Sequence, residues 1–191
     1  MIVAIGFALS MAACGNANKQ HKEDSSKTEM GQMGHDDHSM HNEKMDHANH
    51  QAPMLSTNLS KEQAQKILTT YIKIKNALVL ADGSQAKKTA DQLLAELEGN
   101  TDELAEEIRT DCRHLSGTAD VEYQRMHFNS LSEVVYAMVK TTHANEATIY
   151  RMYCPMAFNN KGAYWLSAEK EVKNPYFGDK MMHCGSITEE L

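Results

Sequence analysis

The stretch SKEQAQKILTTYIKIKNALVL, residues 60–80, decides the fold class. Ser60 followed by Gln63 is a capping-box pattern, which predicts the start of a helix. Behind it, apolar side chains recur on one helical face, at Ile67, Leu68, Tyr71, Ile72, Leu78 and Val79. We therefore predict a helix over about 60–82 with one face that must be buried against other elements.

Three further helices are predicted C-terminal to this one. Gly83 and Ser84 separate it from a second helix that ends near Gly99. A third helix is predicted over about 101–115 and a fourth over about 119–142. Each has apolar residues at spacings of three and four, and Cys112 lies on the apolar stripe of the third helix as an inert core residue. Four amphipathic helices with short connections predict an antiparallel four-helix bundle.

The pattern changes after the fourth helix. Residues 149–153 are rich in β-formers, 159–162 form a turn signal, and 163–166 are suited to a return strand. The segment 174–178 is rich in turn formers and aromatics, which predicts an ordered loop packed on the bundle. The fold class is thus mainly α, a four-helix bundle with a small C-terminal β-hairpin and ordered loop, over residues 57–191.

The N-terminus has the features of an exported protein. Residues 1–13 form an uncharged apolar run that is too short to span a bilayer but suits a lipoprotein signal peptide. The run from Leu9 to Gly15 resembles the bacterial lipobox, which makes Cys14 the lipidation site. No Lys or Arg lies within residues 1–13, which leaves open a true start further upstream. We expect a protein anchored to the membrane of the bacterial envelope through lipid on Cys14, facing the periplasm or the cell surface; the alternative is that Cys14 is an ordinary core thiol.

Residues 14–56 are polar and almost free of branched aliphatic and aromatic residues, which predicts a disordered tether. Thioethers select Cu⁺ or Ag⁺, whereas imidazole also serves Cu²⁺ and Zn²⁺. We expect this tail to collect copper, although a solvating spacer would have a similar composition. The tail ligands are Met30, Met33, His35, His38, Met40, His41, Met45, His47, His50 and Met54.

A second set of candidate metal ligands lies in the folded part. Cys154 and Met156 follow the first predicted strand, and Met181, Met182, His183 and Cys184 come about thirty residues later. Two thiolates and neighbouring thioethers would give the low-coordinate sulfur site that Cu⁺ accepts. A disulfide between the two cysteines is an open alternative, as is a core role for the methionines. His127, beside the buried face of the fourth helix, is a further candidate ligand or a structural residue.

Charge and motifs exclude several functions. The net charge of -7 and the lack of clustered Lys and Arg argue against a nucleic-acid partner. Hydrolase motifs and a phosphate-binding loop are missing, so we do not expect an enzyme. A thiol-disulfide redox protein is less favoured because the sequence has no Cys-x-x-Cys motif.

Several segments resemble the domain of unknown function 3347, over about residues 60–191. The resemblance rests on 71–79, on Gln124-Arg125, Phe128 and Leu131-Ser132, and above all on 153–167, 174–181 and Cys184-Gly185. That family occurs as bacterial envelope lipoproteins and as an extension of periplasmic adaptors from copper and silver efflux systems. The resemblance implies metal handling, with Cys154, Met156, Met181 and Cys184 as ligands.

We therefore expect a lipid-anchored envelope protein that scavenges or chaperones copper, with Cu⁺ as the favoured ion and Ag⁺ or Zn²⁺ as alternatives. A zinc-binding lipoprotein is one alternative function. Another is an interaction module that docks on a periplasmic efflux adaptor through Tyr164, Trp165, Tyr176 and Phe177.

Overall fold

A computed structural model describes residues 57–191. The predicted signal peptide, the lipidation site Cys14 and all the tail ligands lie outside the described residues.

Four helices make up most of the described chain, as predicted. They are α1 (Lys61–Val79), α2 (Gly83–Glu96), α3 (Glu103–Ser116) and α4 (Val121–Thr142). At the start of α1 the Ser60 hydroxyl accepts from the Gln63 backbone N–H at 3.2 Å, and the Gln63 side chain accepts from the Ser60 N–H at 2.9 Å. The predicted capping box is therefore confirmed.

The helices pack as a bundle. Neighbours in sequence pack on one another, and α4 packs back on α1. In the centre, the Tyr71 ring stacks on Phe128 with 5.1 Å between centroids. Cys112 is fully buried, and burial raises the pKa of its thiol well above the usual value, as expected for an inert core residue.

A three-stranded antiparallel sheet covers one side of the bundle. Its strands are β1 (Tyr150–Cys154), β2 (Ala163–Ser167) and β3 (Ser186–Glu190), in the order β2-β1-β3. The predicted hairpin corresponds to β1 and β2, whereas β3 was not predicted. A short helical turn, α5 (Ala157–Asn160), connects the hairpin, and a 3-10 turn covers Gly178–Met181.

The sheet is fastened to the helices by polar contacts as well as by its apolar face. Strand β2 packs on α4 and α1, and the Leu166 N–H donates to the Tyr71 hydroxyl at 3.0 Å. Arg151 of β1 lies between the rings of Tyr136 and Tyr164, 3.8 and 4.0 Å from their centroids. These contacts hold strands β1 and β2 against the bundle.

None of the helices within residues 57–191 combines the length and the apolar character that crossing a membrane requires.

Asp102 joins the beginning of the described chain to the bundle. Its carboxylate caps α3 by accepting from Leu104 N–H at 3.0 Å, and it also accepts from Asn58 N–H at 2.6 Å and Thr57 Oγ1 at 3.0 Å. Burial alone would raise the pKa of this carboxyl group, but the hydrogen bonds together hold it below its usual range.

We expect Asp102→Ala to lower the free energy of unfolding by about 2 kcal/mol at neutral pH, since it removes a helix cap and a tether. Because the folded-state pKa is depressed, the contribution is fully present above the unfolded-state pKa of about 3.9 and is lost as the pH falls through the folded-state pKa. Urea unfolding of wild type and variant at neutral and acidic pH measures this. The exposed Asp91→Ala is the matched control, and a difference between wild type and Asp102→Ala that does not shrink in acid would contradict the argument.

Candidate functional site

Two cysteines that are thirty residues apart in sequence meet beside the sheet. Cys154 is the last residue of β1, and Cys184 lies just before β3. Because Tyr153 pairs with Ser186 in the antiparallel register, the two cysteines are brought to the same end of the sheet. Their Sγ atoms are 2.9 Å apart, and both are free cysteines.

This separation lies between the sulfur–sulfur distance of a disulfide bond and that of two thiolates bound to one metal ion. A disulfide bond is about 2.05 Å long. Two thiolates bound to one tetrahedral ion at about 2.3 Å each are about 3.8 Å apart. A displacement of less than about 1 Å therefore converts the pair to either arrangement.

The two sulfurs differ in solvent accessibility, and the thiol of Cys154 raises the pKa of Cys184. Cys154 is fully buried, whereas Cys184 is only half-buried, so a solute reaches the pair from the Cys184 side. The neighbouring Cys154 thiol, and then burial, raise the pKa of Cys184, while the Met156 backbone N–H opposes them by stabilising the thiolate. Ligation by Cys184 therefore has to displace a proton at neutral pH.

Asn174 holds the loop that carries Cys184. Its side chain is fully buried and donates from Nδ2 to the Cys184 carbonyl at 2.7 Å, while Oδ1 accepts from the Tyr176 N–H at 2.8 Å. Its backbone N–H donates to the Met182 carbonyl at 2.9 Å. Asn174 therefore holds the two ends of the loop from 174 to 184 together.

The residue after Cys184 has to be glycine. Gly185 has φ +146, and a Cβ there would lie 2.8 Å from the Trp165 ring and 3.0 Å from the Tyr153 carbonyl oxygen. Backbone and tryptophan therefore approach closely beneath the cysteine pair, which limits how far Cys184 can move toward the sheet.

The aromatic residues predicted to dock on an adaptor differ in their exposure. Trp165 and Tyr176 are buried, and Tyr164 and Phe177 are half-buried. The Tyr176 ring lies 5.9 Å from Trp165, and its hydroxyl donates to the Tyr164 carbonyl. Trp165 and Tyr176 thus belong to the core rather than to an exposed docking surface.

The other predicted ligands of the folded part lie on neighbouring turns. Met156 is 47% exposed, Met181 and Met182 are half-buried, and His183 is exposed. The Met181 carbonyl accepts from Cys184 N–H at 3.0 Å, and His183 Nδ1 lies 3.0 Å from the Val172 carbonyl oxygen. Within residues 57–191 no group of three or more His, Cys, Asp or Glu is arranged to hold a metal ion. A metal site here would therefore depend on the two cysteines and on methionine sulfur.

His127 lies elsewhere. It is on α4, and its ring stacks on that of His114 from α3, with 3.9 Å between centroids. The contacts of its ring are with α3 and α4, including Asp111 Oδ1 at 3.8 Å from Nδ1. The sequence analysis gave His114 no metal role and did not identify Asp111 or Asn174. The spacing of Asp111 and His114 on α3 was visible in the sequence, but the pairing of the two helices was not.

We expect Asn174→Ala to lower the free energy of unfolding by about 2 kcal/mol, because the buried Tyr176 N–H and the partly buried Cys184 carbonyl lose their partner. The exposed Asn76→Ala on α1 should change it by less than about 0.5 kcal/mol. Urea unfolding of the reduced proteins compares them. An equal effect of the two substitutions would mean that Asn174 does not hold the loop.

Residues 67–147 match the family described as "Protein of unknown function (DUF3347)", which confirms the family resemblance over this part of the chain. The match covers most of the helical bundle and ends before Cys154. No match is found among the curated proteins, and none among the solved structures.

Proposed function

We propose that this protein is an envelope metal-binding protein that takes up Cu⁺ at Cys154 and Cys184 and acts as a scavenger or chaperone. The observation that carries the proposal is the contact of two free cysteine sulfurs, 2.9 Å apart, with one of them accessible. Soft sulfur donors select Cu⁺ over harder ions, and Ag⁺ shares this preference.

The donor set fits Cu⁺ better than Zn²⁺. Structural zinc requires four ligands from Cys, His or carboxylate groups, and such a group is not present around the cysteines in residues 57–191. Cu⁺ accepts fewer ligands, and the exposed thioether of Met156, two residues after Cys154, is the nearest candidate along the chain for a third one. Two sulfurs about 2.3 Å from a three- or two-coordinate ion are about 4.0 to 4.6 Å apart, so binding requires Cys184 to move away from Cys154 by about 1 to 2 Å, on the side where it is accessible.

The tail has a supporting role in this proposal. Lipid on Cys14 would keep the protein at the membrane, and the Met and His residues between 30 and 54 would collect ions by weak, exchangeable contacts. A periplasmic efflux adaptor is the proposed recipient of the metal. Imidazole binding in the tail should weaken as the pH falls below about 6.5, because protonated imidazole cannot ligate.

Chelator competition for Cu⁺ tests the proposal on the reduced full-length chain. To isolate the folded site, each His and Met from 21 to 54 is replaced by Gln, which we call the tail-substituted protein. We expect one equivalent of Cu⁺ per chain and two fewer titratable thiols in the metal-bound form. Absence of a stoichiometric site in the reduced, tail-substituted protein would refute the proposal for the folded domain.

The same contact favours a second candidate function, thiol–disulfide exchange, in which the two thiols are oxidised to a disulfide while the disulfide of a substrate protein is reduced to two thiols. A buried Cys154 and an accessible Cys184 are arranged like a resolving and an attacking thiol. Thiol counts before reduction distinguish the two: a pair that is isolated oxidised and binds no Cu⁺ after reduction supports redox chemistry instead of metal transfer.

A further inference from the structure

The chain that follows Cys154 makes a left-handed turn. Phe158 has φ 51° and ψ 54°, Asn159 has φ 59° and ψ 47°, and Asn160 has φ 65°. Asparagine enters this region more easily than most residues, whereas a bulky residue such as phenylalanine is rarely found there. Each left-handed residue with a Cβ costs free energy, so a run of three persists only where the surrounding contacts fix it.

Backbone hydrogen bonds close this turn. The Gly162 N–H donates to the Ala157 carbonyl at 3.0 Å, and the Lys161 N–H donates to the Phe158 carbonyl at 3.3 Å. Ala157 is buried, and a side chain at Gly162 would collide with the ring of Tyr153. The turn is therefore packed closely against strand β1, from which it begins.

The Phe158 ring reaches the loop that carries the second cysteine. Its edge meets the ring of Tyr176, with 5.4 Å between centroids and 67° between planes. The Tyr176 N–H donates to Oδ1 of Asn174, whose Nδ2 donates to the Cys184 carbonyl. One aromatic contact thus connects the turn after the first cysteine with the residues that hold the second.

We infer that Phe158 is a positioning residue for the cysteine pair: its ring holds the loop of Cys184 on the turn that follows Cys154, and so sets the separation of the sulfurs. Without the ring, the turn is free to release its left-handed strain, and the loop loses a contact next to Asn174. The two Sγ atoms, now 2.9 Å apart, would then meet less often. This inference rests on the proposed use of the pair, but it concerns the position of the sulfurs and is measurable without metal.

The equilibrium of the pair with glutathione measures this position. In that reaction the two thiols are oxidised to a disulfide while one glutathione disulfide is reduced to two thiols. The full-length, tail-substituted protein is used, with Cys14→Ser so that this thiol does not take part. We expect Phe158→Ala to lower the equilibrium constant by about tenfold, equivalent to a reduction potential about 30 mV less negative, because the effective concentration of one thiol at the other falls. Phe158→Tyr keeps the ring and should give the wild-type value.

Glycine at position 158 separates the effect of the ring from that of the strain. Phe158→Gly removes the ring but adopts the left-handed conformation at no steric cost, so its equilibrium constant should lie between those of wild type and Phe158→Ala. Leu94→Ala is the matched control, since Leu94 is a partly buried residue that packs on the core from α2. It should lower the free energy of unfolding and leave the equilibrium with glutathione unchanged. Circular dichroism establishes that each variant is folded.

Chelator competition for Cu⁺ on the same proteins separates this inference from the proposed function. The expected shift in Phe158→Ala, found in a protein that binds no Cu⁺, would support the positioning role and refute the metal site. A wild-type glutathione equilibrium in Phe158→Ala, or an equal shift in Leu94→Ala, would overturn the inference, and a Cu⁺ site found in the same experiment would still stand.

Discussion

Replacement of both Cys154 and Cys184 by Ser is expected to lower the Cu⁺ affinity of the tail-substituted protein by about a thousandfold or more, equivalent to at least about 4 kcal/mol. Among residues 57–191, Cys154 and Cys184 are the cysteines that can supply thiolate ligands at this site, because Cys112 is buried in the bundle. A serine hydroxyl has nearly the same size, so the loop held by Asn174 should keep its position. Chelator competition on the reduced proteins measures the loss.

The single variants test whether the sulfurs act together. Because the Sγ atoms are 2.9 Å apart, either substitution should remove most of the affinity, and the effects should not add. Cys112→Ala is the matched control: Cys112 is fully buried in the bundle, so its loss should affect stability but not Cu⁺ affinity. Full affinity in Cys184→Ser would show that the ion is held elsewhere.

The pH dependence follows from the pKa of Cys184, which its neighbour Cys154 and burial raise above the usual value. Cu⁺ must displace this proton, so affinity should increase with pH until the thiol ionises without metal. The tail should respond in a lower range, near the imidazole pKa of about 6.5. A comparison of full-length and tail-substituted proteins across pH therefore separates the two kinds of site.

The helices were predictable because each has its own local signals. For α1, the Ser60–Gln63 box and the apolar face were both visible, and the structure has both. Strand β3 was missed because its inward-facing positions include a charged residue, Glu189, in place of a second apolar one. Glu189 accepts hydrogen bonds from Tyr136 and Lys140 of α4, both at 2.7 Å. A strand fastened by long-range polar contacts has no periodicity that a sequence can show.

The candidate sites, like the fold, were only partly predictable from the sequence. Cys154 and Cys184 stood out as residue types, but their contact depends on the antiparallel pairing of β1 with β3, which was not predicted. His127 was noticed without its partner, since His114 reaches it only through the packing of α3 on α4. Sequence therefore indicated which donors were present, while the assembly of each pair depended on tertiary contacts.

Arg125→Met is expected to lower the free energy of unfolding by about 3 kcal/mol, because hydrogen bonds from a buried charged donor to carbonyl groups are lost. The guanidinium is nearly fully buried and joins three parts of the chain. Its Nε donates to the Pro175 carbonyl at 2.8 Å, one amino group donates to the Leu78 carbonyl at 3.2 Å, and the other pairs with Glu122 at 2.9 Å. Methionine fills much of the volume but takes the donor away from the Pro175 carbonyl, whereas the Leu78 carbonyl keeps the Ala81 N–H at 3.1 Å.

The effect of Arg125 should extend to the cysteine pair, because Pro175 directly follows the Asn174 that holds the Cys184 carbonyl. Arg113→Met is the matched control: this arginine is exposed and pairs with Glu106, so its loss should cost less than about 1 kcal/mol. Arg125→Lys should give an intermediate loss, since an ammonium cannot reproduce the planar set of donors. Urea unfolding gives the free energies of unfolding. Chelator competition for Cu⁺, without denaturant and at a temperature at which each variant remains folded, gives the Cu⁺ affinities. If Arg125→Met were as stable as Arg113→Met, Arg125 would not be what joins the cysteine loop to the bundle, and the loop would then be expected to keep its Cu⁺ affinity.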